Sequence, residues 1–253
     1  MLRPLTVGEI LDTSFSLYRR HFGALATVAL VCTGVPLVLR LFVEASGGFF
    51  LNITLGLLYA LCLVVLNLVA TAATVFIVSE SYLGRPLSAR EALQRSTPYI
   101  GRILVCSLLM ALAVGLGFLL LFIPGVILAV GLAMAIPAVV LEPRASASGA
   151  LSRSWDLTRG ARWRIFGLGV TLLVLLYVPV VAIGGLFALI VPGSGGMLGG
   201  ASIGMVTAIA FGGIVQMFIY PLFYCVLTVT YYDLRVRKEG FDLELLASTL
   251  QSA

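Results

Sequence analysis

The chain has 253 residues, 60% of them hydrophobic and only 11% charged, with a formal net charge of +5. Ordinary soluble domains carry about 25% charged residues, so this composition excludes a soluble globular fold. Nor does the positive balance mark a nucleic-acid binder, because 15 of the 16 basic residues fall in short segments between apolar runs.

A helix rising 1.5 Å per residue needs about 20 apolar residues to cross a hydrocarbon core of roughly 30 Å. Twenty-one polar and amphipathic residues precede the first apolar run, so no cleavable signal is expected. Val31 before Cys32 also spoils a lipoprotein cleavage site. Residues 22–39 make the first span, ended by Arg40. Residues 53–79 make the second, after a Gly47-Gly48 turn. The uncharged stretch 103–141 is broken at Ile123-Pro124-Gly125 and reads as spans 3 and 4 joined by a tight hairpin. The stretch 165–232, interrupted at residues 191–196, reads as spans 5 and 6. The fold class is therefore all-α, a polytopic membrane protein with six transmembrane helices.

Basic residues cluster on one side of these spans: Arg3, Arg19 and Arg20 before span 1; Arg85, Arg90, Arg95 and Arg102 after span 2; Arg144, Arg153, Arg159, Arg162 and Arg164 after span 4; Arg235, Arg237 and Lys238 after span 6. Only Arg40 lies opposite. The positive-inside rule then puts both termini in the cytoplasm. Trp155, Trp163, Tyr82, Tyr99, Tyr231 and Tyr232 fit an aromatic belt at the same edge.

An internal repeat organises the chain. Residues 3–11 read RPLTVGEIL, residues 85–93 read RPLSAREAL, and a third copy at 144–154 reads RASASGALSRS. Thr6, Ser88 and Ser146 share a column, as do Leu11, Leu93 and Leu151, and Ser14, Ser96 and Ser154. Thr6 with Glu9, and Ser88 with Glu91, have capping-box spacing; Gly149 breaks the box in the third copy. Each copy precedes two spans. The unit is an amphipathic helix plus a transmembrane hairpin, used three times at about 3–84, 85–143 and 144–235, with a tail at 236–253. Two spans per unit make the repeat parallel and predict pseudo-threefold symmetry about the membrane normal. The amphipathic helices are expected in the interface, apolar face towards lipid, with Arg19, Arg95, Arg153 and Arg159 on lipid phosphates.

Within the membrane, Gly196, Gly200, Gly204, Ala208 and Gly212 recur every fourth residue on span 6, and Gly125, Ala129, Ala133 and Pro137 do so on span 4. Such stripes let backbones approach closely; packing within the chain is the expectation, a homo-oligomer interface the alternative. No charge lies at mid-membrane, where Asn67 and Gln216 are the notable polar residues and are read as interhelical glue. Glu80, Glu142 and Asp233 each end an even-numbered span, with Arg85, Arg144 and Arg235 within five positions. These acids are expected to pair with arginines and lock each amphipathic helix to its hairpin, against simple snorkelling.

Catalytic signals are poor. Residues 200–204 read GASIG, the serine-hydrolase pattern, but they lie on an apolar helix opposite the single histidine, His21. Cys32, Cys62, Cys106 and Cys225 lie in apolar runs without ligand spacing. No catalytic residue, metal or cofactor is expected.

Three segments, RPLTVGEILDTSFSLYRRHFGAL, ALSRSWDLTRGARWRIFG and YYDLRVRKEGFDLELL, resemble a bacterial family: the membrane domain attached to some glycerophosphodiester phosphodiesterases, also found as stand-alone proteins. In its two-domain members a soluble, metal-binding barrel follows the membrane part. Here the chain stops about twenty residues after span 6, so the resemblance implies a stand-alone member without the barrel or its activity. The expected function is a non-enzymatic bacterial inner-membrane scaffold or accessory subunit. Its expected partners are anionic lipid head groups on the cytoplasmic side and another membrane protein, with no nucleic acid. The alternative is a passive conduit for a lipid or small amphiphile.

Overall fold

The computed structural model describes residues 3–45, 49–142, 146–190 and 203–240. The Gly47-Gly48 turn, the 191–196 interruption, Arg144, Gly196, Gly200 and the tail from 241 onward lie outside the described residues.

Helix α1 (Val7–Arg20) leads into span 1, built from α2 (Phe22–Ala29), a π-helical turn (Leu30–Gly34) and α3 (Val35–Ala45). Helix α4 (Phe49–Tyr82) carries span 2, α5 (Ala89–Ser96) is a second short helix, and α6 (Ile100–Leu120) carries span 3. Span 4 is α7 (Phe122–Gly131) plus α8 (Ala135–Leu141); α9 (Ala147–Thr158) is the third short helix, and α10 (Arg162–Ile190) and α11 (Ile203–Glu239) hold spans 5 and 6. Among the described residues, 6 helices are long and apolar enough to cross a membrane.

The three short helices start as their sequences dictate. Thr6 accepts from the Glu9 N–H at 3.3 Å while Glu9 accepts from the Thr6 N–H at 2.7 Å. Ser88 and Glu91 repeat the exchange at 3.3 and 3.2 Å. These bonds from Thr6 and Ser88 hold both glutamate carboxyls below their usual range. Ser146 keeps only its half of the box, accepting the Gly149 N–H at 3.1 Å.

Proline and glycine shape the spans. The hairpin between spans 3 and 4 turns at Leu121, whose backbone is extended, and not at Ile123-Pro124-Gly125. Pro124 sits in the first turn of α7, where its missing N–H is an orphan anyway. Gly117 and Gly125 close the hairpin: a Cβ on Gly117 would lie 2.9 Å from Gly125 Cα. Span 4 breaks again between Gly131 and Ala135, because the Pro137 ring disfavours a helical carbonyl at Ala133.

The buried core lies at the basic end of the bundle. It draws on the Leu68–Ser79 stretch of α4, on Ala135–Val140 of α8 and on the Cys225–Val236 stretch of α11, so the even-numbered spans meet inside. Ala72, Val75, Met134, Ala138, Cys225 and Val229 are each 0% exposed. Towards the far end, Leu57, Leu61, Leu119, Val181 and Leu186 face outward. Each short helix packs on an even-numbered span: α5 on α4, α9 on α8, and α1 on α11. Their buried faces use equivalent positions, Ile10 with Ser14, Ala92 with Ser96, and Ala150 with Ser154. This corrects one expectation. These helices turn Ile10, Ala92, Ala150 and the three serines onto protein rather than lipid, while Phe15 of α1 stays exposed.

Candidate functional site: the basic end of the bundle

Asp233 forms the most enclosed centre. Its side chain is 0% exposed. The carboxylate accepts the Leu5 N–H at 2.7 Å, Arg164 Nη1 at 2.8 Å and Arg237 Nε at 3.1 Å. Both guanidiniums also donate to the Leu5 carbonyl, Arg237 at 2.6 Å. One acid thereby ties the segment entering α1 to the start of α10 and the end of α11. Burial of this carboxylate is offset because both of its oxygens accept hydrogen bonds, two of the three donors being guanidiniums.

Glu142 centres a second cluster. It accepts from Arg153 Nε at 2.9 Å and from the Tyr231 hydroxyl at 2.6 Å. Arg153 also donates to Glu239 at 2.7 Å, and Arg235 reaches the same carboxylate at 3.1 Å. Hydrogen bonds to Glu239 and then Glu142 raise the Arg153 pKa, holding its guanidinium charged. Lys238 donates to the Asp156 carbonyl at 2.6 Å and to the Arg159 carbonyl, where α9 ends; a cation is favoured there by the helix dipole. Glu80 makes the loosest pair, with Arg95 at 3.5 Å. Beside it the Ser79 and Tyr232 hydroxyls meet at 2.6 Å.

The break in span 4 is closed by side chains of α9. Ser154 and Thr158 donate to the Gly131 carbonyl at 2.9 and 3.0 Å, and the Met134 N–H donates to Ser154 at 3.1 Å. Backbone groups freed inside a membrane need such partners. The Trp155 ring lies against Gly131, where a Cβ would be 2.5 Å from it, and Arg162 stacks 3.9 Å from the ring centroid.

The residues singled out in the sequence are therefore distributed as follows. Glu80, Glu142 and Asp233 are all in ion pairs, with Arg95, Arg153, and Arg164 plus Arg237. Arg85 meets Glu80 through its backbone N–H, 2.8 Å from the Glu80 carbonyl, and Arg235 pairs with Glu239. Arg95 and Arg153, read as lipid contacts, serve the acids, whereas Arg19 lines an open groove and Arg159 is exposed. Asn67 accepts from the Tyr220 hydroxyl at 2.6 Å, with Thr71 alongside. Gln216 lines a flank groove of about 770 Å³ between α10 and α11, and Tyr220 lines the same groove. Gly204 is buried and Ala208 half-buried, while Gly212 faces open space; the close approach falls on Gly213, where a Cβ would be 2.6 Å from Leu37.

Sequence reasoning missed Arg164, Arg237 and Glu239. Two of them carried a signal, since Asp233 with Arg237 and Arg235 with Glu239 have the i,i+4 spacing of helical ion pairs. Arg164 had none, being 69 residues from its partner.

Comparison with known proteins places the chain among membrane proteins. The family model described as the membrane domain of glycerophosphoryl diester phosphodiesterase matches residues 99–249, more than half of the chain. A curated relative, the UPF0259 membrane protein PC1_1998 of Pectobacterium carotovorum subsp. carotovorum (strain PC1), is 33% identical over 94 residues. That stretch spans 37% of this chain and 37% of the relative. No solved structure matches.

Proposed function

The chain belongs to the family of the membrane domain of glycerophosphoryl diester phosphodiesterase, and from that premise we propose that it is a non-enzymatic scaffold of the bacterial inner membrane. In this reading the basic end faces the cytoplasm, the three repeat units form a pseudo-threefold ring, and the ring binds anionic lipid and holds another membrane protein. One observation carries the proposal: the acids at the basic end are spent on holding helices together. Glu80, Glu142 and Asp233 each tie an even-numbered span to a flanking segment, which leaves them unavailable for chemistry. Ring closure is supported by α1, the first short helix, which packs on the last span. The bacterial relative supports the compartment.

A conduit draws less support. Of its candidate polar residues, Gln216 lines a groove on the flank and Asn67 is engaged by the Tyr220 hydroxyl, and the even-numbered spans meet through Ala72, Val75, Met134 and Ala138 without exposed area. The test is mass spectrometry of the protein purified from its native membrane in mild detergent. A stoichiometric membrane-protein partner is expected. Recovery of the chain without such a partner, together with lipid translocation in reconstituted vesicles, would replace the scaffold by the conduit.

A further inference from the structure

The first and third short helices carry equivalent residues that end in different surroundings. Phe15 and Trp155 share a column of the repeat. Trp155 is seated on Gly131 beneath Arg162 and seals its side of α9. Phe15 stands 51% exposed and walls a groove of about 800 Å³ between α1 and the lower parts of α10 and α11. Arg19 and Arg20 stand at its polar rim, and Leu172, Leu175 and Leu222 form its apolar wall.

Depth and charge say what fits. Arg164 and Asp233 touch at 2.8 Å and so mark one level at the basic end. At 1.5 Å per residue, Leu172 lies about 12 Å and Leu222 about 16 Å beyond that level, the hydrocarbon depth of one leaflet. The occupant is therefore an amphiphile, with its polar end at α1 and its chains along the leucines. Asp12 is the one acid in the lining, against two guanidiniums. Among the described residues none of the three is in an ion pair, unlike Arg95 and Arg153 on the other short helices. Two free guanidiniums suit a phosphate, and the surplus positive charge suits a head group of net negative charge over a zwitterion.

We propose that the groove between α1 and spans 5 and 6 is a binding site for one anionic phospholipid of the leaflet at the basic end, its phosphate on Arg19 and Arg20 and its chains on Leu172, Leu175 and Leu222. The site gives the lipid-binding part of the scaffold reading a place and a ligand class, and rests on that part alone; the partner protein is tested separately by co-purification.

The experiment places the wild type, R19Q/R20Q and L175W in phosphatidylcholine discs containing a minor fraction of phosphatidylglycerol. The lipid retained after detergent washing is then counted by mass spectrometry. The wild type should retain phosphatidylglycerol enriched about five-fold over the disc, the scale of one basic residue acting on an anionic surface. R19Q/R20Q removes the head-group site and L175W fills the chain groove from an exposed position, so both should fall to the disc ratio. R90Q, at an exposed arginine of α5, should keep the enrichment, and inorganic phosphate in the buffer should not displace it. Retention at the disc ratio by the wild type overturns the proposal. Enrichment kept by either groove variant does so too, since surface charge alone, or chain contact alone, would then explain it. Thermal midpoints of the variants within the wild-type range show that the groove, and not the fold, was altered.

Discussion

The two ends of this bundle are built from the same apolar residue types, yet only at one do the even-numbered spans close on one another. At the basic end, α4, α8 and α11 bury Ala72, Val75, Met134, Ala138 and Val229 completely. Towards the far end, Leu57, Leu61, Val181 and Leu186 of the same or neighbouring helices face outward. Hydrophobicity does not make this difference, because lipid tails solvate leucine as well as another leucine does. Directional bonds do. The basic end has Asp233 with three donors, Glu142 with two, and the Ser154 bridge across the break in span 4. The bonds of the far part include the Asn67–Thr71–Tyr220 cluster, which carries no charge. Where polar bonds fix the helices, small residues can pack between them; where they do not, the spans part and grooves open along α10.

The comparison can be broken most forcefully at Asp233. Replacing it with Asn leaves Arg164 and Arg237 converging on the Leu5 carbonyl without a counter-charge. Losing one partner of a buried pair costs about 3–5 kcal/mol, and the thermal midpoint in detergent should show the largest fall of any variant here. Ser154→Ala strips the Met134 N–H of its acceptor, a loss of about 1–3 kcal/mol, and hydrogen exchange at that amide should accelerate. Glu142→Gln should cost about 1–2 kcal/mol, since Arg153 keeps Glu239. Glu80→Gln, at a 3.5 Å pair with a half-exposed arginine, should lose less than about 1 kcal/mol. Gln216→Leu in the flank groove should stay within about 0.5 kcal/mol of the wild type. A fall for Gln216→Leu as large as that for Glu142→Gln would dissolve the distinction between the two ends.

Much of this was legible in the sequence, for local reasons. Span lengths follow from bilayer thickness, and helix starts from Thr6, Ser88 and Ser146, because both depend on neighbouring residues. Ser14, Ser96 and Ser154, aligned by sequence alone, are all buried, although alignment by itself did not say so. What could not be read is long-range. Sequence proximity favoured Arg85 as the partner of Glu80 and Arg235 as that of Asp233, but a neighbour in sequence need not point back at the acid: Arg95 approaches Glu80 from the packed short helix, and Arg164 and Arg237 take Asp233. The hairpin was displaced to Leu121 because Pro-Gly reads equally as a turn or as a first helical turn, and only the Gly117–Gly125 contact distinguishes the two. Gly213 was overlooked in favour of Gly212 because a period of four does not say which neighbour faces span 1.

A double-mutant cycle between Glu142 and Arg153, read as unfolding free energies in lipid discs, tests most directly whether charges at the basic end lock helices together. If they do, Glu142→Gln and Arg153→Gln are coupled by about 1 kcal/mol or more, the double variant being less damaged than the sum of the singles. Losses that add to within about 0.5 kcal/mol would mean that the two side chains act independently, and would contradict the account.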